Sequence, residues 1–189
     1  MRVGVLALQG DFREHRIALE RCGADVMEVR LPEHMEKVSG LIIPGGESTT
    51  IGKLMARWGL DKAIKDFAAQ GKPIFGTCAG MIVIAKRIEA GDQERLGLLD
   101  VLVRRNAYGR QVDSFEGDIE VPALGPPPVR GVFIRAPYVT SVGDGVEVLG
   151  KFDDKIVLVQ QGKILASAFH PELTQDLRLH KYFLSMVSV

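Results

Sequence analysis

Apolar residues fall along this chain in two rhythms. Val3 to Leu8 is almost continuously apolar, the pattern of a strand covered on both faces. Phe12, His15, Leu19 and Cys22 then recur at helical spacing, with Asp11 placed to cap that helix and Gly23 just past its end. Asp25 to Val29 predicts a second strand and Gly40 to Ile43 a third, which runs into Pro44-Gly45-Gly46-Glu47-Ser48. Leu60, Ala63, Ile64, Phe67 and Ala68 share one helical face, with Asp61 as the expected cap and Gly71 as the stop. Pro73-Ile74-Phe75 starts a fourth strand, and Met81 to Lys86 reads as a buried helix. Strands alternating with helices in this way predict a parallel, doubly wound sheet with right-handed crossovers.

The texture changes in the second half. Val101 to Val103, Gly117 to Val121, Val129 to Ile134, Val146 to Leu149 and Ile156 to Gln160 are short apolar runs separated by turns. Gln161-Gly162 turns into Lys163 to Phe169, a hairpin pattern. Leu179, Phe183, Met186 and Val187 make one face of a final helix. The expected fold is α/β: a three-layer, mostly parallel twisted sheet flanked by helices, with an antiparallel insertion. With 189 residues, no repeat and no linker, residues 1–189 read as a single domain.

Composition narrows the function classes. Acidic and basic residues balance at 24 each, so no net field recruits nucleic acid or an anionic membrane surface. Two cysteines make neither a disulfide framework nor a metal-ligand cluster, which implies reduced thiols and no metal. Gln9-Gly10-Asp11 cuts the first apolar run too short for a secretory signal, and no stretch suits a membrane span. The expectation is a soluble cytoplasmic protein.

The candidate chemistry centres on Gly76-Thr77-Cys78-Ala79-Gly80, between the fourth strand and the buried helix. A strand turning sharply into a helix with a nucleophile at the apex is a nucleophile elbow. Glycines two before and two after Cys78 let backbone approach backbone. The first helical amides and the helix dipole favour negative charge at the apex. Alone, the pentapeptide suits a buried cysteine in a turn equally well. A cysteine nucleophile needs a base, and the base needs an orienter. Phe169-His170-Pro171-Glu172 follows the last predicted strand. In extended chain His170 and Glu172 would present imidazole and carboxylate on one side. His34 and His180 read as solvated, His15 as a helix-surface or boundary residue, and Cys22 as core packing. The Gly45-Gly46 loop lacks a phosphate-binding lysine but can supply half of an oxyanion hole, Gly46 N–H from one side and Ala79 N–H from the other.

Taken together, the elbow, His170-Pro171-Glu172 and Pro44-Gly45-Gly46-Glu47-Ser48 resemble the class I, triad-type glutamine amidotransferases of flavodoxin-like fold. Within them the chain is most similar to the glutaminase-subunit branch of pyridoxal 5′-phosphate synthase. That likeness includes Leu8-Gln9-Gly10, Arg105-Asn106-Ala107-Tyr108-Gly109-Arg110-Gln111, Phe133 to Pro137 and Ser167 to Thr174. The wider family usually places glutamine four residues after the nucleophile. Ile82 stands there instead, as in the vitamin B6 branch. The resemblance implies a catalytic triad of Cys78, His170 and Glu172. It implies glutamine contacts from Gly46, Glu47, Ser48, Arg105, Ile134 and Arg135, and no cofactor. It further implies a separate (β/α)₈-barrel synthase partner in a large hetero-oligomer. Docking of that partner is expected to complete the oxyanion hole by turning a peptide in the Gly45-Gly46 loop. Another amidotransferase glutaminase, a cysteine hydrolase of flavodoxin-like fold, and a non-enzymatic scaffold subunit are the alternative readings.

Overall fold

A computed structural model describes residues 1–106 and 114–188. Ala107, Tyr108, Gly109, Arg110 and Gln111 of the resemblance lie outside the described residues. The first half alternates as expected: β1 (Arg2–Leu6), α1 (Phe12–Arg21), β2 (Asp25–Val29) and β3 (Gly40–Ile43). Two helices follow, α2 (Ser48–Trp58) and α3 (Leu60–Ala69), then β4 (Ile74–Thr77) and α4 (Ala79–Ile84). Helix α2 was not anticipated from the pattern. The cap of α3 is Gly59 at φ 72°, not Asp61, which lies inside the first turn. The buried helix is shorter than expected, because Ala85–Ile88 continues as strand β5.

The second half is mostly β: β6 (Leu99–Arg104), β7 (Ser114–Ile119), β8 (Val129–Ile134) and β9 (Tyr138–Val142). It continues with β10 (Glu147–Phe152), β11 (Lys155–Gln161), β12 (Ile164–Ser167) and the terminal helix α5 (Arg178–Val187). Strands β5 and β9 are additions to the sequence reading. The β11–β12 hairpin forms as predicted, pairing Gln161 with Ile164.

Among the described residues the main sheet has ten strands, with the path β2-β1-β3-β4-β12-β11-β9-β6-β5 and β10 paired to β11. From β2 to β12 neighbours are parallel; beyond β12 the pairing is antiparallel, apart from the parallel pair β5–β6. Strands β7 and β8 form a separate antiparallel ribbon. Side chains alternate across β4. Phe75 packs its ring against His15, His180 and Phe183, on the side of α1 and α5. Gly76 faces the other way, against Gly80 and Ile84 of α4.

Register decides where the site forms. Gly76 lies opposite both Ile43 of β3 and Ala166 of β12, and Thr77 lies opposite Ser167. The three parallel strands therefore end side by side. The chain leaving each carries one expected motif: Gly45-Gly46 after β3, Cys78 after β4 and His170 after β12. This is the carboxyl edge where open α/β sheets place their sites.

Candidate active site

Cys78 occupies a backbone conformation that side chains avoid, φ 48° and ψ −104°. Neighbours over-determine it. Its N–H donates to Ser167 O at 2.8 Å. A Cβ on Gly76 would stand 2.7 Å from the Gly80 backbone, and one on Gly80 would stand 2.0 Å from Ile43 O. The glycines are thus required by close approach on both sides of the turn. Cys78 is 7% exposed, and its sulfur lies 3.8 Å from Ile134 O, to which the thiol donates.

His170 is fixed through its main chain, N–H to Val132 O at 2.8 Å. Its ring lies over Gly45, where a Cβ would come within 2.3 Å of Cε1. Nδ1 meets Glu172 Oε1 at 2.7 Å, and Asp11 Oδ2 lies 3.5 Å from the same nitrogen. Burial opposes charge on this ring, but hydrogen bonds with Cys78 and Glu172 outweigh it and raise the pKa to about 10. Burial also pushes the Glu172 carboxyl up, against the His170 contact that lowers it. The 2.7 Å contact requires a proton between ring and carboxylate, so Nδ1 carries it and Nε2 is left for the thiol. His170 is extended, at φ −100° and ψ 91°, as expected. Glu172, however, reaches the ring from a 3₁₀ turn (Pro171–Leu173) rather than from continued extended chain. Asp11, His170 and Glu172 bring ligand-type atoms within 4.8 Å of one another. A cation there would have to break the His170–Glu172 hydrogen bond.

Two histidines differ from the sequence reading. His15 and His180 are both fully buried, behind the site between α1, β4 and α5. The apolar face of α1 continues through His15 because Thr77 and His180 supply polar partners, at 2.9 Å and 3.1 Å, which a single sequence does not reveal. Cys22 is half-buried at the end of α1 rather than in the core. His34 is also half-buried, its Nδ1 accepting from Arg30 N–H. Asp11 begins α1 without a side-chain cap and faces His170 instead.

A cavity of about 410 Å³ opens over the sulfur. Gly46, Glu47, Ser48, Ala79, Ile82, Arg105, Ile134 and Arg135 line it together with Cys78 and His170. Both arginines come from the insertion, as expected. Glu47 has a structural task as well: its carboxylate caps α2, accepting from the N–H of Thr49 and of Thr50. Its own N–H donates to Gln9 Oε1 at 2.8 Å. Gln93, which the sequence reading missed, accepts from Arg105 Nη1 at 2.6 Å and from Ser48 Oγ at 3.3 Å. It ties the insertion to the start of α2. The Gly45 carbonyl accepts from Asp11 N–H at 3.0 Å, so any turn of the Gly45–Gly46 peptide must break that bond.

Residues 5–189 match the family model described as the SNO glutamine amidotransferase family. The chain is 61% identical to the pyridoxal 5′-phosphate synthase subunit PdxT of Desulforudis audaxviator, over 99% of each chain. It is 58% identical to the PdxT of Pelotomaculum thermopropionicum, over 97% of this chain and 94% of that one. A crystal structure of a glutamine amidotransferase, 56% identical, superposes with a TM-score of 0.94 over 99% of each chain. The PurLQS structure from Thermotoga maritima, 20% identical over 97% of each chain, shares the fold with a TM-score of 0.74. The chain belongs to the SNO glutamine amidotransferase family.

Proposed function

We propose that this chain is the glutaminase subunit of a pyridoxal 5′-phosphate synthase, hydrolysing L-glutamine to L-glutamate and ammonia. The observation that carries the reading is the His170 ring, hydrogen-bonded to Glu172 at 2.7 Å and lining the same cavity as Cys78. The whole chain, residues 1–189, acts as one amidotransferase domain.

The raised pKa of His170 favours a resting pair in which the thiol proton has already passed to His170 Nε2, leaving the Cys78 thiolate, while Glu172 steadies the imidazolium through Nδ1–H. The Cys78 sulfur attacks the side-chain amide carbon of glutamine. The Gly46 and Ala79 amides hold the oxyanion that forms. The C–N bond breaks as His170 returns its proton to nitrogen, releasing ammonia and leaving a γ-glutamyl thioester on Cys78. A water molecule then gives a proton to His170 and its hydroxide adds to the thioester. Collapse expels the Cys78 sulfur, which recovers the proton, and frees glutamate. Arg105 and Arg135 suit the α-carboxylate of the substrate, since a guanidinium fork matches it. Glu47, Ser48 and Ile134 complete the contacts at the rim. No cofactor or metal takes part in these steps.

The names of the relatives, subunits of a pyridoxal 5′-phosphate synthase, support a partner subunit; the proposed partner is a separate synthase subunit of (β/α)₈-barrel fold that consumes the ammonia in a hetero-oligomer. Docking of that subunit turns the Gly45–Gly46 peptide and raises the rate. No helix among the described residues is long and apolar enough to cross a membrane. A working thiol suits a reducing compartment, and the cytoplasm is the proposed location. Glutamate release from glutamine tests the reading. Release is expected to vanish in His170→Asn and in Cys78→Ser, and to rise on adding the synthase subunit. Undiminished release in His170→Asn would overturn the triad, and equal rates with and without the synthase would overturn the coupling.

A further inference from the structure

Glu172 has two carboxylate oxygens, and the triad uses one. Oε1 takes the His170 Nδ1 proton. Oε2 is buried and has no hydrogen bond of good geometry among the described residues. An ionised carboxylate with one oxygen dry and unpaired is costly, and its protonation would remove the acceptor that orients His170. The group facing Oε2 is His15 Nε2, 3.2 Å away. That nitrogen also lies 2.9 Å from Thr77 Oγ1, directly before the nucleophile.

The carboxylate decides the tautomer of His15. A lone pair on Nε2 would point at a negative oxygen, so Nε2 carries the proton. It points to Thr77 Oγ1, with Glu172 Oε2 in electrostatic contact 3.2 Å from the same nitrogen. Nδ1 is then an acceptor, and it faces His180 Nε2 at 3.1 Å. His180 must therefore donate from Nε2, leaving its Nδ1 bare, and that atom is indeed buried without a partner among the described residues. Every proton in the row has one consistent position: His180 Nε2–H to His15 Nδ1, His15 Nε2–H to Thr77 Oγ1 beside Glu172 Oε2, and His170 Nδ1–H to Glu172 Oε1.

We propose that His15 is a positioning residue for the glutaminase reaction, holding Glu172 ionised and aimed at His170, with His180 locking the His15 tautomer from behind. The inference rests on the triad reading given above. The row works only with His15 and His180 both neutral. Burial pushes the pKa of His15 well down and that of His180 to about 4. The other titratable groups facing it are His170, Asp11 from the loop before α1, and Asp176 before α5.

The test compares His15→Leu, His15→Gln and His170→Asn. Glutamate release is measured in the complex with the synthase subunit. The pH dependence of iodoacetamide alkylation, read at Cys78 by peptide mass, is measured on the full chain. His15→Leu is expected to lower kcat by about tenfold or more, with little change in KM. Losing the donor eases Glu172 protonation, so the acid limb of both pH profiles moves to higher pH. The Gln amide places a donor near the Nε2 position and restores most of both. A folded His15→Leu variant with unchanged kcat and profile, while His170→Asn alters both, overturns the role of His15 and leaves the triad standing. An unaltered His170→Asn overturns the triad itself. Should His15→Leu fail to fold, His180→Leu frees the His15 tautomer and carries the same expectation, and unchanged profiles there count against the proposal.

Discussion

Gly80 stands against Ile43 with no room for a side chain: a Cβ on Gly80 would lie 2.0 Å from the Ile43 carbonyl oxygen. The obstacle is backbone of a central strand, which cannot swing aside as a flexible side chain can. Gly80→Ala must therefore push α4 off β3, and Cys78, two residues earlier, moves with it. Overpacking a well-filled core costs about 1–3 kcal/mol, and this contact belongs at or above the upper end. The expected outcome in urea unfolding is a loss of about 3 kcal/mol. Gly71→Ala is the control, because nothing lies near its Cβ and only the φ of 74° is strained. That strain costs about 1–2 kcal/mol. Equal losses in the two variants would contradict the close approach.

The alternation of apolar runs made much of the first half legible, because β1, β3 and β4 are almost wholly buried and α1 and α3 each bury one face. Strands β2 and β3 fall on the residues expected of them. Legibility failed where an element is defined by partners distant in sequence. Strand β9 carries the half-exposed pattern Tyr138–Val142 and exists through its pairing with β6. His15 and His180 are 165 residues apart, and their burial depends on each other and on Thr77. Cys78, His170 and Glu172 stood out because elbow and His-Pro-Glu are local patterns. Gln93 did not, because a lone glutamine in a polar loop carries no local signal of the arginine it meets.

The burial of His180 sets a pH dependence of stability. Burial lowers its pKa from 6.5 to about 4, with Asp176 opposing weakly. In the unfolded chain the ring takes up a proton below its ordinary value, whereas the folded ring stays neutral until about pH 4. Between these limits the unfolded state binds more protons, so acid destabilises the fold through this group, by about 3 kcal/mol across the window. Above pH 6.5 the contribution is flat. His15 adds a slope of the same sign, while the raised pKa of Glu172 opposes it. The clean measurement is therefore a difference: urea unfolding of wild type and His180→Leu from pH 7.5 to pH 5. The variant is expected to lose stability less steeply as pH falls. Parallel curves would show that His180 is charged or solvated in the folded state.

Gln93 separates substrate binding from chemistry. Its Oε1 accepts from Arg105 Nη1 at 2.6 Å and from Ser48 Oγ at 3.3 Å, which fixes the guanidinium at the rim of the cavity. It touches neither Cys78 nor His170. Among the described residues, removing the amide in Gln93→Ala leaves Arg105 anchored only by its flexible stem, and ordering that stem on binding then costs side-chain entropy. A hydrogen bond to a charged group contributes about 1.5–3 kcal/mol, so KM for glutamine is expected to rise roughly tenfold or more. The transition state carries the same α-carboxylate as the ground state, and such uniform binding leaves kcat nearly unchanged. Gln93→Glu is the informative second variant. A carboxylate pairs with Arg105 more strongly than the amide does and competes with the substrate for the guanidinium. KM should therefore rise there too, and the rise should shrink at high salt because the pair is solvent-accessible. Steady-state kinetics in the complex with the synthase subunit check both. A fall in kcat with unchanged KM would place Arg105 and its holder in the chemical step instead.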